Sequence, residues 1–444
     1  MKSGDPIELE LDTLGPAGEG VGPHDGRAVH VPGGFPGERI DARVAHVSRQ
    51  RPVVHADLLR ITIPHPGRRP SPCIHHDTGE PGKRKQPLCT GCPLLSLAVE
   101  DQRALKQTLL AREHGLQVDQ VVAAPTEFGY RFSSKRVVGG TPGQLVLGSY
   151  TRGTHTLAAM HACQVDHPEI VLAAEELRRV ADSLAIEAHD EKIEKIEKTE
   201  KTGTGDLRYV WLKTDGREVL LTLVTASEDS RAARELPERL RRPAGIAWSV
   251  QPSHGNSLRG RPAQVLRGRH ELALELAGVP LTTGPLGFLQ PNPAVAALAY
   301  ADLVRGPDGL ALTGELAFDL YAGAGVTTGL LRQQFTEVRP CEAYAESAAL
   351  LGVPPETTEA FLQRQAERPT LVVANPPREG LGPQVCAELL RLAPPHLHIM
   401  SCGPASLARD LASLAPKFRV LAIRAYDTLP HTPHVELVAW LVAT

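Results

Sequence analysis

The stretch LAFDLYAGAGVTTGLLRQQF (316–335) carries the pattern that decides the fold of the C-terminal half. It begins as an apolar strand, turns at Gly323 and Gly325, and continues as a helix with one apolar face. Strand-like and helical segments then alternate from about residue 284 to the last apolar run, VELVAWLV (435–442). This alternation predicts a mostly parallel, doubly wound sheet, which binds ligands at the carboxyl ends of its strands.

The glycine loop at Gly323 and Gly325 is the first candidate binding feature. Glycines allow a sharp turn and let a ligand approach the backbone closely. Glu342 ends the next strand, 19 residues after Gly323, and a carboxylate there can bind both hydroxyls of a ribose. A tight structural turn and a surface glutamate would give the same pattern. Even as a binding site, the pattern does not separate a dinucleotide from S-adenosylmethionine.

Two later strands end in residues that could take part in chemistry. Asn375 precedes two prolines, which cannot continue a strand and which hold the preceding residue rigidly. Cys402 ends the next strand, just before a helix, and a helix N-terminus favours a thiolate. The alternative for a free cysteine is a small buried apolar residue, which is what we expect of Cys341 and Cys386.

The first 283 residues have a different character. Apolar and polar residues alternate in IELELD (7–12), and short strands with Gly- and Pro-rich turns continue through 6–60, which predicts a small β-barrel. A long helix is predicted over 94–116. The alternating-charge segment HDEKIEKIEKTEKTGTG (189–205) is expected to be a solvated extension without a function.

Four of the seven cysteines have a spacing typical of metal ligands. They are Cys73, Cys89, Cys92 and Cys163, spaced C-x15-C-x2-C-x70-C. Four thiolates suit either a [4Fe–4S] cluster or zinc, because both are held by cysteine sulfur. His75 and His76 lie between the first two cysteines and could join a zinc site. A set of cysteines without metal is the third alternative.

Composition and charge limit the classes of function. A net charge of −3 excludes a globally basic nucleic-acid binder, but it leaves room for local patches such as the one around Arg131, Lys135 and Arg136. No run of 18 apolar residues and no apolar signal-peptide core is present. We therefore expect a cytoplasmic monomer without a membrane span, whose cysteines are not disulfide-bonded.

Taken together, six motifs resemble the RNA uracil-C5 methyltransferase family, which modifies ribosomal and transfer RNA. They are GYRFSSKR (129–136), FLQPN (288–292), DLYAGAG (319–325), NPPREGLGP (375–383), SCGPASLARD (401–410) and LPHTPHVE (429–436). The resemblance covers nearly the whole chain and implies three domains. These are an N-terminal OB-like β-barrel called a TRAM domain (1–62), a central α+β domain (63–94 and 128–283), and a Rossmann-like methyltransferase domain (95–127 and 284–444).

The resemblance implies that the chain forms 5-methyluridine in rRNA or tRNA, with S-adenosylmethionine as the methyl donor. Cys402 would add to C6 of a flipped uridine, and Glu436 would remove the C5 proton. The positions matching the cofactor and base pocket are Gln290, Tyr321, Gly323, Glu342 and Asn375. Family members with a barrel domain often hold a [4Fe–4S] cluster on such a cysteine set. Arg131, inside the first motif, is the expected RNA contact.

Two departures from the family pattern raise alternatives. The family has Asp where this chain has Asn375, although an amide can accept from N3–H of uracil and donate to O4. Only 32 residues separate Glu342 from Asn375, and they contain two helical pieces without a clear strand between them. One βα unit is therefore expected to be missing, which would weaken cofactor binding. An RNA-binding relative without turnover is the alternative function, and a methyltransferase acting on another base or on a small molecule is the third.

Overall fold

The computed structural model describes residues 1–77, 88–189, 205–253 and 258–444. Nearly all of the charged segment 189–205 lies outside the described residues, as does 78–87. Within the described residues, the strands are β1 (Pro6–Glu10), β2 (Thr13–Leu14), β3 (Gly20–His24), β4 (Arg27–Val31), β5 (Arg39–Val47), β6 (Val53–Ile63), β7 (Val121–Val122), β8 (Ser133–Thr141), β9 (Gln144–Tyr150), β10 (Leu157–Ala159), β11 (Leu207–Thr214), β12 (Val219–Thr225), β13 (Gly245–Val250), β14 (Gln264–Gly268), β15 (Leu272–Leu276), β16 (Val279–Thr283), β17 (Gly314–Leu320), β18 (Phe335–Cys341), β19 (Leu371–Ala374), β20 (His396–Ser401), β21 (Phe418–Tyr426) and β22 (Glu436–Ala443). The helices are α1 (Val99–His114), α2 (Pro168–Ser183), α3 (Arg231–Arg239), α4 (Pro293–Leu303), α5 (Val326–Leu331), α6 (Ala345–Leu351), α7 (Thr358–Gln363), α8 (Gly382–Leu392) and α9 (Pro404–Leu414).

The chain divides into two compact units. The first unit consists of residues 1–98, 126–274 and 282–292, and the second unit consists of 99–125, 275–281 and 293–444. Each unit contains its own sheets and its own apolar core.

The N-terminal part of the first unit is a six-stranded sheet with the order β1-β5-β6-β4-β3-β2. Ile7 and Leu9 on β1 are buried while their polar neighbours are exposed, as the alternation in the sequence predicts. The sheet curls so that β3 comes close to β1, and a Cβ on Gly22 would lie 2.1 Å from the Glu10 carbonyl oxygen. Glycine is required at that approach because any side chain would collide with backbone.

The second sheet of the first unit has seven strands, in the order β10-β9-β8-β11-β12-β13-β14. Its pairs are antiparallel except β12 with β13. Helices α2 and α3 bury Leu177 and Leu236 against Val210, Leu212 and Leu221 of the strands. Burial of apolar surface between one sheet face and two helices is what stabilises this part of the chain.

The second unit contains a seven-stranded sheet with the order β18-β17-β19-β20-β22-β21-β7. The pairs from β18 to β20 are parallel, and β22 is antiparallel to both its neighbours. Successive residues of β19 face opposite sides, so that Val372 joins a core with α8 and α9 while Val373 joins a core with α4 and α5. Helices cover both faces, which confirms the predicted doubly wound α/β fold.

The sheet of the second unit ends at β18. Between Cys341 and Leu371 the chain forms only α6 and α7, without a further strand. The structure describes every residue of this interval, and the lack of a strand there agrees with the expected loss of one βα unit. Arg339 on this edge strand forms ion pairs with Glu337 and Glu367, and charged side chains of this kind discourage pairing with another strand.

Helix α1 begins later than the sequence pattern predicts. The predicted helix started at residue 94, but the observed helix starts at Val99. Leu94, Leu95 and Leu97 are instead buried in turns of the first unit. Their apolar run resembles a helix face in the sequence, but in the structure these residues are buried in the first unit, outside any helix.

Candidate active site

Polar side chains gather at the carboxyl edge of the second unit's sheet. Tyr321 follows β17, Glu342 follows β18, Asn375 follows β19 and Cys402 follows β20. The carboxyl ends of neighbouring parallel strands lie along the same border of a sheet, so these four residues lie along that carboxyl edge. Glu436 is the first residue of β22, whose antiparallel direction brings its start to the same edge. Five of the residues predicted from the sequence are thereby placed along one edge.

The loop after β17 depends on a left-handed backbone. Tyr321, Gly323 and Gly325 have φ values of 59°, 55° and 84°. Gly325 immediately precedes α5, and a Cβ there would lie 2.8 Å from the Leu351 Cδ2 atom. Tyr321 adopts this conformation although it has a Cβ, and such strain is concentrated at functional sites.

Two carboxylates hold the glycine loop in place. Glu342 accepts hydrogen bonds from the Gly323 N–H (2.8 Å) and from the Tyr344 N–H (2.7 Å). Beneath the loop, Asp319 accepts from the Thr328 hydroxyl at 2.5 Å, and burial raises the pKa of Asp319 to about 7. The Glu342 carboxylate is thus fixed in orientation, and each of its oxygens keeps a further lone pair for a ligand.

Asn375 sits at the centre of this edge. Its backbone N–H donates to the Leu320 carbonyl at 3.3 Å, and its side-chain Nδ2 donates to the Tyr300 hydroxyl at 3.3 Å. Asn375 is half-buried, and Tyr300 of α4 is buried. The amide is therefore held by contacts on its own unit before any ligand arrives.

Cys402 and Glu436 approach each other because of strand register. Ser401 on β20 pairs with Leu437 on β22, so the next pair along the two strands would be Cys402 and Glu436. The thiol is exposed, whereas the Glu436 side chain is buried. An exposed thiol and a buried carboxyl group therefore lie side by side.

Arg378 is the third member of this group. Burial and the Glu436 charge raise the pKa of the Cys402 thiol by more than the Arg378 guanidinium lowers it. Burial also raises the pKa of Glu436 to about 8, against the opposing effect of Arg378. We predicted that the helix N-terminus would favour a thiolate at Cys402. The pKa of Cys402 is instead raised, because burial and the neighbouring Glu436 carboxyl group outweigh the groups that favour the thiolate.

Helix α9 fixes the loop that carries Arg378. The Ser406 hydroxyl donates to the Arg378 carbonyl at 2.9 Å, and Asp410 accepts from the Leu381 N–H at 2.7 Å. Gly380 has a φ of 87°, and a Cβ there would lie 2.3 Å from an Asp410 oxygen. Both motifs are visible in the sequence, but their local pattern does not assign these residues a role. The available signal was Ser406 and Asp410, spaced four apart on one face of a helix.

The four predicted metal-binding cysteines meet in the first unit. They line one cavity of about 30 Å³, and its other lining residues include His75 and His76. The set consists of Cys73, Cys89, Cys92 and Cys163. Burial, followed by the charges of Cys163 and Cys89, raises the pKa of Cys92, which shows that these thiols are electrostatic neighbours. Across the described ranges, no group of three or more His, Cys, Asp or Glu side chains is arranged to hold a metal ion.

Three other predicted residues lie in the first unit. Gln290 is half-buried in the segment 282–292. Arg131 lies beside the cysteine cavity, where Cys163 and Cys92 interact with its charge. Arg136, which we grouped with candidate phosphate contacts, is buried and forms an ion pair with Asp166 at 2.6 Å. Its charge is therefore already compensated inside the protein.

Sequence comparison identifies the family. An RNA methyltransferase of Geobacter sulfurreducens is 32% identical to this chain over 99% of the chain and 90% of the relative. The chain belongs to this RNA methyltransferase family. A second RNA methyltransferase, from Thermosynechococcus vestitus, is 31% identical and covers 100% of the chain and 99% of the relative. No protein-family model matches the chain.

Comparison with solved structures supports the fold of this RNA methyltransferase. The Pyrococcus abyssi tRNA (uracil-54, C5)-methyltransferase, solved with S-adenosyl-L-homocysteine, has a TM-score of 0.74 to this chain at 24% identity. The match covers 98% of this chain and 100% of that structure. It shows a shared fold, with a Rossmann-like sheet and a β-rich N-terminal region. In the described part of the enzyme, no helix has the length and apolar character needed to cross a membrane.

Proposed function

We propose that this RNA methyltransferase forms 5-methyluridine, with Cys402 as the nucleophile. The observation that carries the proposal is the group of Cys402, Arg378 and Glu436 at one strand edge. Methyl transfer to nitrogen or oxygen does not need a thiol beside a buried carboxyl group. Methyl transfer to C5 of a pyrimidine does, because that carbon is a poor nucleophile until a group adds to C6.

The reaction would proceed through a covalent adduct. The Cys402 thiolate forms a C–S bond at C6, and the displaced electron pair makes C5 nucleophilic. C5 then takes the methyl group, which S-adenosylmethionine supplies when bound. Glu436 removes the C5 proton, the pair from that C–H bond restores the C5–C6 double bond, and the C–S bond breaks to release Cys402 as thiolate.

The charges at the site fit this sequence of steps. The Glu436 charge raises the pKa of Cys402, while Arg378 lowers the pKa of both groups. Because the interaction of two charges is reciprocal, a Cys402 thiolate would in turn favour the protonated form of Glu436. Formation of the C–S bond removes the thiolate charge, so the proton affinity of Glu436 falls and its carboxylate becomes available as the base. The raised pKa of Glu436, about 8, lies close to neutral pH, where general bases work best.

The glycine loop fits S-adenosylmethionine. Tyr321 and Gly323 form a strained turn that lets a ligand approach the backbone, and Glu342 presents an oriented carboxylate to a ribose. In the strand order of the sheet, Asn375 lies between the glycine loop and Cys402. We assign these four residues to cofactor and base binding. Gln290 is included from the family resemblance alone.

Asn375 is the proposed uracil-reading group. Its amide can accept from N3–H and donate to O4, and cytosine, which lacks the N3–H, would leave a polar atom unpaired. The target nucleotide must leave its stack to reach Cys402. We further propose that the RNA is rRNA or tRNA, that the curled N-terminal sheet acts as a TRAM-type RNA-binding domain, and that Arg131 contributes to RNA binding from the first unit.

A [4Fe–4S] cluster is the proposed occupant of the cysteine cavity. Four thiols around one cavity match the donor set that such clusters require, and the adjacent Arg131 would balance thiolate charge. Iron and acid-labile sulfide in anaerobically purified protein would support the cluster. Zinc at one equivalent would instead assign the cavity to zinc, with His75 or His76 as a ligand.

The second candidate function is an RNA-binding relative with weak turnover. The observation that favours it is the end of the sheet at β18, which shortens the half that would hold the cofactor. Calorimetric titration with S-adenosylmethionine separates the two. Binding of one equivalent supports the methyltransferase, and no binding supports the alternative.

The product itself tests the proposed function. The protein is incubated with S-adenosylmethionine and with rRNA and tRNA from a strain that lacks its gene, and the digested nucleosides are analysed by mass spectrometry. We expect new 5-methyluridine among the nucleosides. A different methylated nucleoside would overturn the proposal while leaving the family assignment intact.

A further inference from the structure

The segment that leads into Glu436 is held by a helix from a distant part of the sequence. Residues 427–435 connect β21 to β22, and Glu436 begins β22 directly after them. The backbone in this segment is unusual, because His431 has a φ of 69°. Such a conformation persists only where surrounding contacts fix it.

Lys106 of α1 supplies one set of these contacts. Its side chain is fully buried, and Nζ forms an ion pair with Asp427 at 2.5 Å. Nζ also donates to the carbonyl oxygens of Leu429 and His434, each at 3.4 Å. The three protons of the ammonium group therefore have three acceptors spread along the segment.

Gln102 of α1 supplies the second set. Its Oε1 accepts from the His431 N–H at 2.8 Å, and its Nε2 lies 3.1 Å from the His431 Nδ1 atom. Both residues are buried completely. The amide thus bonds to the backbone and the ring of the one residue whose backbone is left-handed.

The buried face of α1 is polar where it meets this segment. Gln102 and Lys106 are four residues apart and share one face of the helix. Apolar side chains would pack a helix here without the cost of removing polar groups from water. Hydrogen bonds and an ion pair from both side chains end on residues 427–434, so the segment that they hold explains why polar side chains lie at this buried position.

We propose that Gln102 and Lys106 are positioning residues for Glu436. They do not touch the reacting atoms. They fix the segment 427–435, so that the Glu436 carboxyl group stays beside Cys402 when the C5 proton is removed. This inference rests on the proposed function, in which Glu436 takes that proton, the C5–H pair becomes the C5–C6 double bond and sulfur leaves C6.

The test separates proton removal from methyl transfer. The full-length protein acts on tRNA and rRNA that carry [5-³H]uridine and come from a strain lacking the gene. S-adenosyl-[methyl-¹⁴C]methionine reports methyl transfer, and tritium released to water reports loss of the C5 proton. Gln102→Met has a matched control in Gln107→Met, because Gln107 lies on the same helix and donates instead to the Val118 carbonyl at 2.8 Å.

With enzyme in excess over RNA, so that each protein reacts once, we expect tritium release in Gln102→Met to slow by about tenfold or more while methyl transfer stays within about twofold of wild type. Methylated protein–RNA adduct should then accumulate on a denaturing gel. Gln107→Met should keep the two rates together. In Lys106→Met, tritium release should fall further behind methyl transfer than in Gln102→Met. If Lys106→Met does not fold, the result for Gln102→Met decides the test.

Two outcomes overturn the inference. One is tritium release that keeps pace with methyl transfer in Gln102→Met, and the other is an equal lag in Gln107→Met. Both leave the proposed function intact, provided that wild type releases tritium and Glu436→Gln accumulates adduct. Wild-type protein that transfers methyl groups without releasing tritium would overturn the proposed function itself.

Discussion

The two halves of the second unit's sheet are built in different ways. The reaction half, around β20 and β22, brings Cys402 and Glu436 together by strand register and surrounds them with side chains from other elements. The cofactor half, around β17 and β18, presents mainly backbone and one carboxylate, Glu342, and it ends early. The reaction half is therefore sensitive to single side chains, whereas the cofactor half depends on loop conformation.

The difference indicates which parameter each half controls. In the proposed mechanism, groups in the reaction half act on bonds that change during the reaction, so their removal should lower kcat. Groups in the cofactor half hold parts of a ligand that do not react, so their removal should raise KM. The following variants test this division, in order of decreasing effect.

Cys402→Ala should have the largest effect. Without the thiol, no group adds to C6, so we expect methyl transfer to fall by at least about a thousandfold. The radiolabelled methyl assay measures this loss. Cys386→Ala removes a buried thiol of the same unit and serves as the control for general loss of a cysteine. A Cys402→Ala variant with more than a tenth of wild-type activity would contradict the covalent route.

Glu436→Gln should change the pH dependence of stability. Burial raises the folded-state pKa of Glu436 to about 8, from 4.5 for an exposed glutamate. The folded protein thus binds a proton that the unfolded chain has released, and stability falls as pH rises between these values. Relative to wild type, the free energy of unfolding of the variant should rise by about 4 kcal/mol between pH 5 and pH 8.5.

Urea unfolding at the two pH values measures this gain. Glu315→Gln, at an exposed position of β17, controls for the general removal of one carboxylate. An equal difference between Glu436→Gln and wild type at both pH values would show that Glu436 is not held protonated in the folded state.

Arg378→Met should lower kcat by about a hundredfold, as removal of a charged donor from an active site commonly does. Since Arg378 lowers the pKa of Cys402, its loss should also move the acidic limb of the pH–rate profile upward. Arg378→Lys should restore part of both effects. An unchanged profile in Arg378→Met would place the guanidinium outside the reaction half.

Glu342→Gln should have the smallest effect. The amide keeps one acceptor oxygen, so one of the two backbone hydrogen bonds is retained. We expect the KM for S-adenosylmethionine to rise by about tenfold with kcat nearly unchanged. A fall in kcat with an unchanged KM would assign Glu342 to the reaction half and would break the proposed division.

The sequence predicts the local parts of this molecule well. The glycine loop, the strand ends at Asn375 and Cys402, and the early end of the sheet each depend on short segments whose periodicity is visible. The resemblance adds Glu436, which no local pattern distinguishes from an exposed strand residue.

Interactions between distant segments are not visible in the same way. Lys106 looks like a solvated residue of a helix, because its partner Asp427 lies 321 positions away. Arg136 looks like a surface charge for a similar reason. The raised pKa of Cys402 follows from burial and from a neighbour on another strand, neither of which a helix-terminus argument includes.

A covalent adduct between protein and RNA would be the most direct evidence that Cys402 is the nucleophile. Glu436→Gln protein is mixed with S-adenosylmethionine and labelled RNA from a strain that lacks the gene, and the mixture is separated on a denaturing gel. We expect a labelled protein band that disappears in the double variant Cys402→Ala/Glu436→Gln. No band in Glu436→Gln, or a band that persists without Cys402, would contradict Cys402 as the nucleophile.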